Sequence, residues 1–213
     1  MRRASTWLAM LAPSLLALLW SPSAHAREDE QGRPFARGTV IPRVGIGFGY
    51  SQDLFSISWG VGAGYFVANG LELGASVGGT HLIWGRDIKD EYPGIEDKLP
   101  GTLIEITPHL RYVFFRNQWF SPYAFAGVGP TFLTNNAAAP TIGHWTAGPG
   151  FYIGLGRHVF LDLAVRFSGR FPGQTCADAF TDVFETDEGL VELEIQGYCG
   201  FQWSPSIGIG FSF

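Results

Sequence analysis

The chain has 213 residues, including 29 glycines and 13 prolines; 15% are aromatic and only 15% charged, with a net charge of −5. Ordinary globular usage is about 7% glycine and about 25% charged residues, and glycine and proline at this density oppose long helices. A helical bundle, a coiled coil and a nucleic-acid binder are excluded. So is disorder, because 46% hydrophobic content is too high for a chain that cannot bury apolar surface.

Arg2 and Arg3 precede an apolar run from Trp7 to Trp20, and Ala24-His-Ala26 fits an A-x-A cleavage site. A helix crossing a bilayer needs ~20 apolar residues, and this run is shorter. The expectation is a secretory signal over 1–26, cut before Arg27. Cleavage leaves 187 residues and removes two of the 14 basic ones, so the mature charge is −7. No later stretch reads as a transmembrane helix. Export places Cys176 and Cys199 in an oxidising compartment, where a disulfide is favoured over a metal site.

The mature chain repeats with period two. Phe55, Ile57, Trp59, Val61, Ala63, Tyr65 and Val67 alternate with Ser56, Ser58, Gly60, Gly62 and Gly64. After the turn Ala68-Asn69-Gly70, Leu71, Leu73, Ala75 and Val77 alternate with Glu72, Gly74, Ser76 and Gly78. The same rule predicts strands at 38–50, 55–67, 71–84, 102–115, 119–133, 142–155, 159–171 and 197–213. Residues 68–70, 116–118 and 156–158 are short turns. The alternate connections 85–101, 134–141 and 172–196 are long and polar; only 51–54 is brief. Short turns at one end and long loops at the other are the pattern of an outer-membrane barrel. Strands of about thirteen residues also exceed the ~9–11 needed to cross a bilayer.

The face opposite the hydrophobic one is largely glycine and serine, as at Gly45, Gly47, Gly49, Gly148, Gly150 and Gly154. Small residues suit the concave wall of a narrow closed sheet. The other face carries Val44, Ile46, Phe48, Leu161, Leu163, Val165, Ile207 and Ile209 without a charge, which suits lipid. By parity the inward charged residues are Arg43, Glu72, Glu105, His109, Arg111, Asp162 and Arg166. Three arginines balance three carboxylates, and in a low-dielectric lumen each should be paired. An eight-stranded interior is just wide enough for side chains to fill it, so a plug is favoured over a selective pore. Trp59, Trp84, Trp145 and Trp203 would form one interfacial girdle, and Tyr65, Tyr112 and Trp119 the other. Pro108, Pro149 and Pro205 fall inside predicted strands of a sheet without edges. Bulges, or later strand starts, are expected there.

Val44-Gly-Ile-Gly-Phe-Gly-Tyr50, Pro122-Tyr-Ala-Phe-Ala-Gly-Val-Gly129 and Ile207-Gly-Ile-Gly-Phe-Ser-Phe213 resemble the small outer-membrane β-barrels of Gram-negative bacteria, the OmpA-, OmpX- and OmpW-like proteins. The resemblance spans about residues 38–213. It implies an all-β fold, an eight-stranded antiparallel up-and-down transmembrane β-barrel, preceded by a short periplasmic segment over 27–37. It also implies that Ile209, Phe211 and Phe213 are read by the barrel-assembly machinery. Outer-membrane lipid and lipopolysaccharide would surround a protein expected to be monomeric.

The 172–196 loop carries Asp178, Asp182, Glu185, Asp187, Glu188, Glu192 and Glu194, and reads as a hairpin from Val183–Thr186 to Leu190–Ile195. Cys176 and Cys199 bracket it. A bridge closing about 24 residues stabilises by roughly 3 kcal/mol in the loop-entropy account. An extracellular partner could dock on loops 85–101 and 172–196; solvation explains the acidic residues equally well. His144 and Thr146 share an inward face as a nucleophile pair might, but no G-x-S-x-G elbow occurs and no histidine has zinc-ligand spacing. No cofactor, metal site or catalytic residue is assigned. The favoured reading is a plugged structural or surface-interaction barrel. The alternative is a narrow OmpW-like channel for small or hydrophobic solutes, and a lipid A-modifying enzyme is less favoured.

Overall fold

A computed structural model of the protein describes residues 34–51, 54–134, 141–186, 189–194 and 199–213. The expected signal segment 1–26, and 27–33 of the segment after it, lie outside these residues. The barrel strands are β1 (Val40–Ser51), β2 (Leu54–Ala68), β3 (Leu71–Trp84), β4 (Thr102–Val113), β5 (Phe120–Thr134), β6 (Ile142–Gly154), β7 (Val159–Phe171) and β10 (Gln202–Phe211). Every neighbouring pair is antiparallel, and the order β1-β10-β7-β6-β5-β4-β3-β2 closes on itself. The last strand is shorter than its periodicity suggests, beginning at Gln202 and not 197. The acidic hairpin is a separate two-stranded sheet, β8 (Thr181–Thr186) with β9 (Gly189–Glu194).

The two long connections also hold helices that alternation did not suggest: α1 (Arg86–Glu91), α2 (Ile95–Lys98) and α3 (Gly173–Ala179). Ile88, Tyr92, Ile95 and Leu99 are spaced four, three and four apart, a helical period set inside a polar loop. These side chains and those of α3 pack as a cap. Ile95, Leu99, Cys176 and Phe180 join the strand residues Leu82, Trp84, Leu103 and Ile142 in one buried cluster. Trp84 therefore leaves the expected girdle: it is 4% exposed, whereas Trp59 on the outer face is 49% exposed. The reason is parity, because Leu82 and Trp84 share the inward side of β3 while Ile83 points out. The disulfide Cys176–Cys199, with Cα atoms 5.7 Å apart, ties the start of this loop to the approach of β10.

The outer wall is apolar throughout its middle. Val44, Ile46, Phe48, Val61, Leu73, Val77, Ile106, Leu110, Val128, Ile207 and Ile209 are all exposed, a surface far larger than the apolar patches of soluble monomers. In a medium without hydrogen-bonding partners, only a closed ladder satisfies the strand backbones.

The in-strand prolines are accommodated by gaps and not by the bulges expected. Between β4 and β5, Glu105 pairs with Thr131 and His109 with Gly127, while 106–108 are unpaired and the register is unchanged. Pro108 and Pro130 both fall in that gap. Between β6 and β7, Ala147 pairs with Phe167 and Gly150 with Ala164, leaving Gly148 and Pro149 unpaired, again without a shift. Pro205 pairs normally toward β7, but on its other side the β1–β10 ladder ends at Gly47 opposite Ser206. A proline ring removes one donor, so each strand keeps the ladder on one flank and loses it on the other. Among the described residues the one register shift lies elsewhere, between Phe66 and Ala68 beside the β2–β3 turn.

At two gaps the neighbouring strand comes very close to a glycine. A Cβ on Gly148 would stand 2.0 Å from the Val165 carbonyl oxygen, and one on Gly129 would stand 1.8 Å from that of Ile106. Gly148→Ala is therefore expected to destabilise the barrel by about 1–3 kcal/mol, measured by urea unfolding in lipid vesicles. Gly156→Ala, where nothing lies within 4 Å, serves as the control and is expected to leave the midpoint in place.

Candidate functional site

The lumen is built in layers from the short-turn end upward. Its floor is apolar. Phe35, Ile41, Phe66, Val113, Tyr123, Tyr152 and Phe160 form a second buried cluster. Phe35 arrives from the segment before β1, at a positive φ of 63°, and its ring stacks on Tyr152 at 4.9 Å and lies 5.0 Å from Phe160. The segment is held by the β2–β3 turn: Gly70 N–H donates to the Phe35 carbonyl at 3.0 Å, and Gly38 N–H to that of Phe66 at 2.8 Å. Gly70 itself has φ +79°, which is why a glycine stands there.

Above the floor lies a layer of paired charge. Arg43 donates through Nη1 to Glu72 Oε2 and to the Tyr152 hydroxyl, both at 2.9 Å, and through Nη2 to Glu72 Oε1. This bidentate fork fixes the carboxylate in the plane of the guanidinium. His109 Nε2 lies 2.9 Å from Arg43 Nη2, and its Nδ1 3.2 Å from the Thr107 carbonyl. The tautomer that serves both contacts carries its proton on Nδ1. Next to it Arg111 donates to the Tyr152 hydroxyl and reaches Asp162 Oδ2 at 3.3 Å, while the Tyr123 hydroxyl donates to Asp162 Oδ1. The Arg111 guanidinium also lies 4.3 Å from the Tyr123 ring centroid. Glu72 has no exposed surface, so burial is tolerable only because its oxygens are occupied.

Higher still, Glu105 is joined to Arg170 at 3.1 Å, and Arg170 also donates to Gln202 at 3.3 Å. His144 lies between two threonines, with Nε2 2.8 Å from Thr107 Oγ1 and Nδ1 2.9 Å from Thr131 Oγ1. The ring therefore does not hydrogen-bond to Thr146, the partner that its spacing suggested. A pairing of three arginines with three carboxylates is not what forms. Arg170, four residues beyond Arg166 on the same face of β7, takes Glu105 instead. The period-two pattern already placed Arg170 inward, and that signal was there to be read, as it was for Tyr123 and Tyr152. Arg166 remains without a hydrogen bond or ion pair among the described residues. It is exposed, and it lines a cavity of about 390 Å³ above the charged layer. The β1–β2 wall of that chamber is mostly small, with Gly45, Gly47, Ser58, Gly60 and Gly62.

The fold defines a class, the closed eight-stranded antiparallel barrel whose outer face is apolar. No protein-family model matches the chain, and no curated protein does. Among solved structures, Neisserial surface protein A is similar at 14% identity and a TM-score of 0.50, over 82% of this chain and 96% of that one. The N-terminal β-barrel domain of Pseudomonas aeruginosa OprF is similar at 19% identity and a TM-score of 0.48, over 83% of this chain and 98% of that one. The outer membrane protein OprG of the same organism gives 14% and 0.48, over 84% and 97%. At these identities the likeness is one of fold.

Removing one member of a buried ion pair costs about 3–5 kcal/mol, because the other is left uncompensated. Glu72→Ala is expected to lower stability by that amount, read from the urea midpoint. The double variant Arg43→Met/Glu72→Met is expected to recover most of it, since two apolar side chains leave no stranded charge.

Proposed function

We propose that the protein is a plugged outer-membrane β-barrel, which acts through what it displays and holds and not through what it conducts. The observation that carries this reading is the stack of two filled layers at the short-turn end. The apolar floor around Phe35 lies beneath the Arg43–Glu72 and Arg111–Asp162 layer, and the two layers are joined where the Tyr152 hydroxyl accepts from both arginines. The apolar outer wall supports insertion in a bilayer, with outer-membrane lipid and lipopolysaccharide around it. Export by a cleaved signal over 1–26 and recognition of Ile209, Phe211 and Phe213 by the assembly machinery belong to the same reading. So does a monomeric state.

At the long-loop end the buried cap and the Cys176–Cys199 bond support a fixed platform for an extracellular partner on loops 85–101 and 172–196. Reducing that bond is expected to leave the far-ultraviolet circular dichroism of the barrel unchanged. Protease cleavage between residues 173 and 199 is expected to quicken. In planar bilayers the purified protein is expected to give no sustained single-channel steps. Such steps would favour the second reading, a narrow channel for small or hydrophobic solutes, which the chamber around Arg166 supports from above the plug.

A further inference from the structure

Among the described residues the lumen holds four arginines, Arg43, Arg111, Arg166 and Arg170, against three carboxylates, Glu72, Glu105 and Asp162. Each carboxylate is already gripped: Glu72 by Arg43, Asp162 by Arg111 and Glu105 by Arg170. Arg166 has Asp162 and Glu105 as counter-charges at longer range, but the charge that acts on it most strongly is the like charge of Arg111. Register explains their closeness. Arg111 pairs with Phe125, and Phe125 with Gly148. In the unchanged β6–β7 register Gly148 stands opposite Arg166. The two guanidinium groups therefore spring from one row of the ladder, and Gly148 puts no side chain between them.

The next inward row carries His109, Gly127, Thr146 and Ser168. The Thr146 hydroxyl is buried without a hydrogen-bond partner among the described residues, and so is Arg111 Nε. Thr146, Arg111 and Arg166 all line the 390 Å³ chamber. Buried polar groups normally have partners, and the carboxylates that could serve here are engaged elsewhere. What the chamber lacks is an anion rich in acceptors. A carboxylate offers two oxygens in one plane, whereas a phosphate group presents three that diverge, as donors on β4, β6 and β7 require. The volume exceeds what a phosphate group alone needs and is within the ~300–1,000 Å³ of small-molecule sites. The rest of the lining is small and polar, with Gly47, Ser58, Ser204 and Ser206, a wall for hydroxyl groups and not for an acyl chain. The uppermost lining residues, Gly49, Ser56 and Gln202, stand at the long-loop ends of β1, β2 and β10. The buried cap cluster takes no residue from those three strands.

We propose that the chamber binds the phosphate monoester of a small water-soluble polyol, which enters from the long-loop end beside the cap. The phosphate group sits between Arg111 and Arg166 with the Thr146 hydroxyl as a further donor, and the polyol lies along the serines of β2 and β10. A bound anion turns the repulsion between the two arginines into a shared attraction. That the ligand is held and not passed through rests on the filled floor of the plugged reading.

The test uses the refolded full chain in maltoside micelles, which carry no phosphate. Glycerol 3-phosphate is the probe, with inorganic phosphate, glycerol and acetate as comparisons, followed by calorimetry. The expected result is saturable one-to-one binding of glycerol 3-phosphate, weaker binding of inorganic phosphate and no comparable binding of glycerol or acetate. Arg166→Met is expected to weaken the probe by about 10- to 100-fold, the loss of one charge-assisted hydrogen bond. Thr146→Val, which keeps the shape and removes the hydroxyl, is expected to weaken it about fivefold. Both variants are expected to keep the wild-type circular dichroism. Saturating probe is expected to raise the urea midpoint of the wild type and to leave that of Arg166→Met in place, which separates lost binding from lost folding. Arg111 is left intact because the plug depends on it. No saturable binding of the probe, equal affinity for acetate, or wild-type affinity in Arg166→Met would overturn the phosphate site. Inorganic phosphate binding as tightly as the ester would overturn the place given to the polyol. Bilayer conductance is read separately, so a conducting barrel would refute the plug without touching the binding result.

Discussion

In a wall one strand thick that faces an apolar medium, each backbone N–H has only two neighbouring strands to which it can be given. Lipid offers no third partner, and an unsatisfied donor there costs several kcal/mol. Closure of the ladder is therefore the constraint from which the rest of this barrel follows. It sets the strand order, it forces glycine and serine onto the narrow inner face, and it makes every in-strand proline a local problem. The two gaps within β4–β5 and β6–β7 show the usual resolution, a missed rung beside a close-packed glycine, after which pairing resumes. At Pro205 the ladder does not resume, so among the described residues the last four of β1, 48–51, have no ladder partner in β10.

The interior obeys the complementary rule. A narrow lumen with low effective dielectric cannot hold a free carboxylate, so Glu72 and Asp162 are gripped by arginines and tyrosine hydroxyls. The two tyrosines join the layers: Tyr152 stacks on Phe35 in the floor while its hydroxyl accepts from Arg43 and Arg111. An amphipathic ring with an apolar body and a polar tip is suited to that boundary. Arg166 breaks the rule only because it does not share the dry layer. It faces a chamber roomy enough to be wet or occupied, and a cation there need not be neutralised by the protein.

Much of this was legible in residue order. A sheet side chain changes face at every step, so alternation alone separated Val44, Ile46 and Phe48 from Gly45, Gly47 and Gly49, and β3 and β7 begin and end where their patterns do. The capping helices were harder to see, because four apolar residues at helical spacing, Ile88 to Leu99, are scattered among charges. Trp84 was misassigned for a different reason: aromatic identity near a strand end was given more weight than the parity that turns it inward. Glu105 could be placed inward from sequence, but its choice of Arg170 over Arg166 could not. That choice depends on which β7 residue stands at the right height across the lumen from β4.

What the sequence determined by itself is the alternation, and with it the closed antiparallel barrel, the apolar exterior and the identity of most inward charges. These are properties of period and composition, which need only local geometry. The tertiary structure decided what depends on strand stagger. Register between strands distant in sequence selects each ion pair, seats Phe35 beneath Tyr152 and leaves Arg166 without a hydrogen bond or ion pair among the described residues. It also decides that a proline in β10 meets the end of a ladder and not its middle. A donor missing from one residue has no consequence until the opposite strand is in place, because the cost belongs to the pair.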